Sequence, residues 1–276
     1  MPRRLVWVGF VLALLPLAAA EALDLNGFQP ARGQGTVAVS LTREGYDEFW
    51  VGDFKVSDPG VGEVEVRSLT VWLLWGLTDD LAVTVNVPWV DADSDGLGGF
   101  SDSGPQDLTA LLRYRFASFE SGDSRHGLTG ALGYRTPMTD YEPNLPVDLG
   151  DGTDDVLLRL VYQFERGPLY FSQQVGYDLR SDDAPDGMPL YTELGVTAGR
   201  ATYSAFYARL IADGGTDIGD PGFTFPSNQD EYSRAGGKVY VRFNDRFGGA
   251  LAAFTTLDGR NSGDTDGLSL SGVWSF

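Results

Sequence analysis

The last ten residues, Gly267-Leu268-Ser269-Leu270-Ser271-Gly272-Val273-Trp274-Ser275-Phe276, alternate in character. Leu268, Leu270, Trp274 and Phe276 share one parity, while Ser269, Ser271 and Ser275 share the other. A period of two is the mark of a strand, because successive side chains point to opposite faces. One face is apolar and ends on aromatics; the other is mostly hydroxyl. Two architectures use such a strand. A soluble β-sandwich lays the apolar face on its core. A membrane-spanning barrel turns it to lipid and keeps the hydroxyls for the lumen. A chain that stops on Phe276 without a polar tail favours the second.

The other end sharpens the choice. Met1-Pro2-Arg3-Arg4 is a short basic start, Leu5 to Leu17 is an apolar run, and Ala18-Ala19-Ala20-Glu21-Ala22 offers small residues at cleavage spacing. This predicts a cleaved secretory signal peptide over residues 1–22. No apolar stretch long enough for a transmembrane helix follows it. An exported chain that spans a membrane without helices must close a barrel, because only helices and barrels satisfy their backbone hydrogen bonds in lipid.

The body of the chain reads as about twelve strands. Leu81, Val83, Val85, Val87 and Trp89 alternate cleanly; so do Leu108, Ala110, Leu112, Tyr114 and Phe116. Within 61–75, Val64 and Val66 disagree in parity with Leu69, Val71 and Leu73, which predicts a bulge near Ser68. Strand nine, 201–211, has weak parity. Connections alternate long and short, the longest uncertain case being Ala117 to His126. An even strand count puts both termini on the short-turn side, periplasmic in an outer-membrane barrel. The long loops then hold most of the acids, among them Asp47, Asp58, Asp140, Glu142, Asp148, Asp151, Asp183, Asp217 and Asp264. The expected fold is therefore all-β: an antiparallel transmembrane β-barrel over 35–276, with 23–34 as an N-terminal tether or plug. Trp72, Trp75, Trp89, Tyr114, Phe116, Tyr162, Phe164, Trp274 and Phe276 are expected in interfacial aromatic girdles against outer-membrane lipid.

Several function classes drop out. A formal net charge of −19 argues against nucleic acid as a partner. With no cysteine there is no thiolate nucleophile, disulfide framework or Cys metal site. His126 is the one histidine; it falls in the expected turn near Ser124, the wrong place for a nucleophile and base to meet a substrate, so no catalytic residue is expected. No resident cofactor is expected either. One metal candidate stands out. Asp91, Asp93 and Asp95 with Gly96, and Asp102 at the twelfth position, match part of a calcium loop. Against it, position twelve is Asp rather than Glu, strands flank it, and acidic Gly-rich loops are common in this chain.

The lumen is the remaining candidate. By parity it collects Arg113, Arg115, Arg135, Arg159, Arg234, Lys238 and Arg242, against fewer acids, Asp107, Asp155, Asp178 and Glu193. Rings of Arg and Lys favour anions in pores. Equally, such charges can pair off and fix the shape of a filled barrel. The two readings are compatible, since paired charges can line a narrow path.

Two segments carry a family resemblance. Gly104-Pro105-Gln106-Asp107-Leu108, leading into Leu111-Leu112-Arg113-Tyr114-Arg115-Phe116, resembles the Gly-x-x-Asp-Leu strand opening of outer-membrane barrels linked to the meta-pathway of phenol degradation. Trp75-Gly76-Leu77-Thr78-Asp79-Asp80-Leu81, followed by Val87-Pro88-Trp89-Val90, is similar to that family's aromatic-Gly turn, with Trp75 where tyrosine is frequent. Thr136-Pro137 with Thr139-Asp140 resembles its Pro-Thr-Gly-Asp loop, blurred by Met138 and a missing Gly. The resemblance covers roughly 60–165. It implies a transporter or channel for small, often hydrophobic or aromatic compounds, a substrate class that nothing in the spacing itself shows. A terminal aromatic strand also resembles the signal read by the barrel assembly machinery, an expected partner during insertion. Two functions follow as expectations: passage of small organic solutes across the outer membrane, or a plugged barrel that anchors or adheres through its acidic loops.

Overall fold

The structure, a computed structural model, describes residues 25–57, 60, 62–96, 99, 101–140 and 152–276. The expected signal peptide, 1–22, and the acids Asp58, Glu142, Asp148 and Asp151 lie outside them. The strands are β1 (Gly35–Tyr46), β2 (Phe49–Val51), β3 (Phe54–Val56), β4 (Val64–Gly76), β5 (Leu81–Ser94), β6 (Ser101–Pro105), β7 (Leu108–Ser121), β8 (Ser124–Thr136), β9 (Asp155–Arg166), β10 (Leu169–Arg180), β11 (Asp186–Ala198), β12 (Ala201–Asp213), β13 (Glu231–Arg242), β14 (Phe247–Arg260) and β15 (Asp266–Ser275). Antiparallel neighbours follow one another around the wall, and β1 pairs with β15 from Thr36↔Ser275 to Gly45↔Asp266, which closes it. β6 and β7 both pair with β5 and act as one interrupted strand, so the closed barrel has 12 strands. β2 and β3 form a separate hairpin in the first long loop.

Most wall strands keep their apolar parity outward. Leu268, Leu270 and Trp274 are exposed, and so are Leu132, Leu158, Leu194 and Leu251 on other strands. Around a closed barrel these side chains make a continuous apolar band, the surface that lipid covers. The opposite parity turns inward and is buried.

The uncertain strands resolve in physical terms. β4 pairs with β1 and β5 without a register shift, so there is no bulge near Ser68. The parity conflict is chemical. Leu69, Val71, Leu73 and Trp75 face outward, and toward the long loops the same outward row becomes Arg67 and Glu65. There Glu65 pairs with Arg43 at 2.5 Å and with Arg67, while Asp91 and Asp93 face outward on β5. Val64 instead turns inward and packs with Val90 and Ala92. The wall stands beyond its apolar band at the loop end, and its polarity inverts there. The register shifts lie elsewhere, between Arg115 and Ala117 on β7 and between Ser233 and Arg234 on β13.

The shift on β7 also corrects the connection from Ala117 to His126. β7 and β8 continue to Ser121↔Ser124, leaving a turn of Gly122 and Asp123. His126 is thus on a strand. Its ring stacks on Phe119 at 4.6 Å, and its Nδ1 lies 2.9 Å from the Tyr162 hydroxyl. It belongs to the turn-end aromatic girdle. Trp72 does not: at 4% exposure it faces inward, packed with Leu74, Leu111 and Leu157. The weak parity of 201–211 arises because Phe206, Ala208 and Leu210 face inward, joining Tyr191, Tyr232, Ala252 and Phe254 in an apolar patch on the lumen wall.

Aromatic rings in the lumen lie over glycines on the neighbouring strand. A Cβ on Gly195 would overlap the ring of Tyr170, its direct cross-strand partner. Such cover fills the gap that glycine leaves in a curved sheet. Gly195→Leu is expected to push the Tyr170 ring aside and to cost about 1–3 kcal/mol. Denaturant unfolding of the refolded barrel measures it; an unchanged midpoint would show the ring is free to move.

Candidate functional site in the barrel lumen

Twelve inward rows converge on a narrow, polar interior, and the basic residues expected there are nearly all in it. Three are buried in ion pairs. Arg135 Nε donates to Asp155 Oδ2 at 2.7 Å, from the residue directly across β8 and β9. Arg159 pairs with Asp178 on β10, its Nη2 donating to Oδ2 at 3.1 Å. Lys238 Nζ donates to Glu193 Oε2 at 2.9 Å and to the Tyr191 hydroxyl at 2.6 Å, bridging over β12. Glu193 also accepts from Tyr170 at 2.6 Å. The lumen is thus largely charge-compensated, as burial demands.

The others behave differently. Arg115 sits at the turn end, where its Nε and Nη2 donate to Asp80 Oδ1 at 3.0 and 2.8 Å. Arg242 is half-buried near the same end of β13. Arg234 lies 4.2 Å from the Tyr232 ring and 5.5 Å from Phe254, and Lys238 lies 5.3 Å from both Tyr191 and Phe206. Cations against ring faces are held by the ring quadrupole. This side of the lumen therefore presents arenes and cations together.

Arg113 is set apart. It is 1% exposed, and among the described residues no carboxylate reaches it at ion-pair distance. Its Nη2 donates to the main-chain oxygens of Asn26, at 2.7 Å, and Phe28, at 3.1 Å. Those residues belong to the segment ahead of β1, which lies buried inside the barrel. Leu25 N donates to Gln174 Oε1 at 2.8 Å, and Gly27 N donates to Gln163 Oε1 at 3.0 Å and Ser172 Oγ at 3.1 Å. The Phe28 ring meets Tyr170 edge-on at 5.1 Å. Lower down, Gly76 admits the carbonyls of Pro30 and Ala31 where a Cβ would collide, and Gly33 N donates to Gly76 O at 2.8 Å. The aromatic-Gly turn singled out in the sequence is thus the seat of this segment. Polar lumen positions Gln163, Ser172 and Gln174 carried only a parity signal; their partners were not foreseeable from spacing.

The loop end is roofed. The β2–β3 hairpin meets the last loop through Trp50 N to Ser262 O at 2.8 Å and Asp264 N to Glu48 O at 2.9 Å. Asp217 in the 214–230 loop accepts from Arg260 Nη2 at 2.6 Å, and Asn261 Nδ2 donates to it at 2.9 Å. The hydrogen bond from Arg260 holds the Asp217 carboxyl below its ordinary value, and that from Lys55 does the same for Glu48. Beside the roof the calcium candidates do not converge on a common point. Residues 91–94 are an extended strand, so Asp91 and Asp93 point out of the barrel, while Asp95 folds back to accept from Glu63 N at 2.7 Å and Asp102 accepts from Ser103 N at 2.8 Å. Among the described residues no three His, Asp or Glu side chains gather as a metal site.

No family model and no curated protein matches the chain. Its fold is similar to that of an outer membrane channel from Pseudomonas putida F1, with a TM-score of 0.73 at 17% identity over 92% of this chain and 100% of that one. The NanC porin gives 0.49 at 7% identity, over 86% and 98% of the two chains. The translocator domain of the autotransporter NalP from Neisseria meningitidis gives 0.48 at 12%, over 90% and 89%. The last two scores carry no argument. The first places the chain among closed transmembrane β-barrels.

Two predictions follow from the charges. Asp178→Ala strands Arg159 in a buried site and should cost about 3–5 kcal/mol, whereas Arg159→Met with Asp178→Leu should recover most of it. A double-mutant cycle in denaturant decides; additive losses would mean the pair is not coupled. For the roof, carboxyls held low when folded add stability that is full at neutral pH and fades as pH falls below about 4. Amide protection at Trp50, Asn261 and Asp264, corrected for intrinsic exchange, should hold from pH 8 to about 5 and decline as pH falls below about 4. Constant protection to pH 3 would show that these carboxylates do not hold the roof.

Proposed function

We propose that this protein is an outer-membrane channel for small organic solutes, held shut at rest by its N-terminal segment. One observation carries the reading: residues 25–28 are bound inside the lumen by side chains of β7, β9 and β10. A wall segment needed for stability would be part of the ladder. This one hydrogen-bonds to lumen side chains over 25–28 and joins the sheet's own backbone only from the β4–β5 turn onward. It can leave without unpairing a wall strand. The similarity to an outer membrane channel supports the same reading, as does the lipid-facing band, which suits a membrane reached by export.

The solute class rests on two supports. The resemblance of 75–81 and 104–116 to barrels linked to phenol degradation points to aromatic or hydrophobic compounds. The inward patch of Tyr191, Phe206, Tyr232 and Phe254, with Arg234 and Lys238 against its rings, suits solutes that combine an arene with negative charge.

The second reading, a plugged barrel that anchors or adheres through its loops, draws on the same occlusion and on the bonded roof. Flux separates them. Proteoliposomes carrying the full chain should take up small neutral solutes slowly, and removal of residues 25–30 should raise the rate severalfold. A folded barrel, shown by heat-modifiable gel migration, that passes nothing in either form would overturn the channel and leave the anchor.

A further inference from the structure

Arg113 is a buried cation whose partner is borrowed. The other three fully buried basic side chains each meet a carboxylate on the wall, but Arg113 meets two peptide oxygens of a segment that is not part of the wall. An uncompensated buried charge is costly, and two neutral carbonyls compensate it poorly. Its Nε has no hydrogen-bond partner, and neither have the Nε2 amides of Gln163 and Gln174, which touch the same stretch through their oxygens. Three buried donors without acceptors thus surround residues 25–28. The ligand they suit is rich in acceptors and negatively charged.

The segment also displays the shape of that ligand. Asn26 O and Phe28 O both accept from Nη2 alone, and Nε is left without a partner; the two oxygens of a carboxylate would engage Nε and Nη2 together, the planar fork through which guanidinium recognises such a pair. The Phe28 ring, one residue's reach away, packs edge-on against Tyr170. Ring against Tyr170 and oxygen on Arg113 is the outline of an arene carboxylate.

We propose that Arg113, with Gln163, Gln174 and Tyr170, forms a carboxylate-binding site that Phe28 and Asn26 occupy in its absence, so that an anionic solute opens the channel by displacing the segment. This rests on the channel reading above and adds the ligand and the trigger. A carboxylate binds the free site better than the segment's carbonyls do, because charge-assisted hydrogen bonds are the stronger ones. The solute therefore shifts the population toward the open lumen by its differential affinity for that state. Chloride, with one centre and no ring, gains less.

The test is planar-bilayer recording of the full chain with benzoate, with benzyl alcohol as the neutral isostere, and with chloride. Benzoate should raise the open fraction roughly tenfold over equal benzyl alcohol or chloride, the worth of one charge-assisted bond. Arg113→Gln should be open without benzoate and unresponsive to it; Arg113→Lys should keep a reduced response. Phe28→Ala, which leaves the wall untouched, should lower the benzoate concentration needed, and this arm stands if Arg113→Gln fails to fold. Equal opening by benzoate and benzyl alcohol, or a full benzoate response in Arg113→Gln, would overturn the site. If the chain lacking residues 25–30 conducts while the full chain ignores benzoate, the channel survives and this site falls. If that shortened, folded barrel does not conduct, the channel reading falls as well.

Discussion

Everything in this molecule depends on the closure of β1 against β15. In hydrocarbon an unpaired peptide group has no water to turn to, so a sheet with a free edge cannot stay there. The rungs from Thr36↔Ser275 to Gly45↔Asp266 join the two ends of the chain's barrel and remove that edge. Once the wall is closed, each strand must divide its side chains between lipid and lumen. The division sets the interior volume, and that volume is small enough that lumen charges must be paired or otherwise compensated.

Burial turns the lumen chemistry into a set of exchanges. Wall cations with wall carboxylates, as in Arg135–Asp155 and Arg159–Asp178, are settled within the sheet and hold its shape. Arg113 is settled by a segment outside the sheet. The difference is topological: the acids that pair sit on strands, and the oxygens that serve Arg113 sit ahead of the first strand. The proposed switch therefore involves one point of the lumen and leaves the pairs within the wall untouched.

Much of the wall was legible in advance because a strand's period is local. Leu81 to Trp89 needs only its own residues to reveal its faces. The same locality explains the failures. Val64 and Val66 broke the pattern because the wall extends past the lipid, where polarity inverts, and a sequence does not mark where lipid ends. His126 lies on a strand and not in a turn because a register shift at Phe116 lets β7 and β8 run on to Ser121 and Ser124, and a shift is visible only in the pairing. Trp72 has the residue type of a lipid-facing girdle but the parity of the lumen, and parity decides. The aspartates at 91, 93 and 95 had metal spacing, but extended backbone carries alternate side chains apart instead of wrapping them round an ion.

The sequence alone determined the alternation, the absence of a spanning helix, the long and short connections and the set of lumen cations, all of which follow from residue type and spacing of two. The tertiary structure alone decided which cation meets which acid and which is left over. Arg113 and Asn26 are far apart in the chain, and no local period links them. Only the closed wall, by enclosing the segment ahead of β1, brings its carbonyls to Arg113, the one buried guanidinium that meets no carboxylate among the described residues.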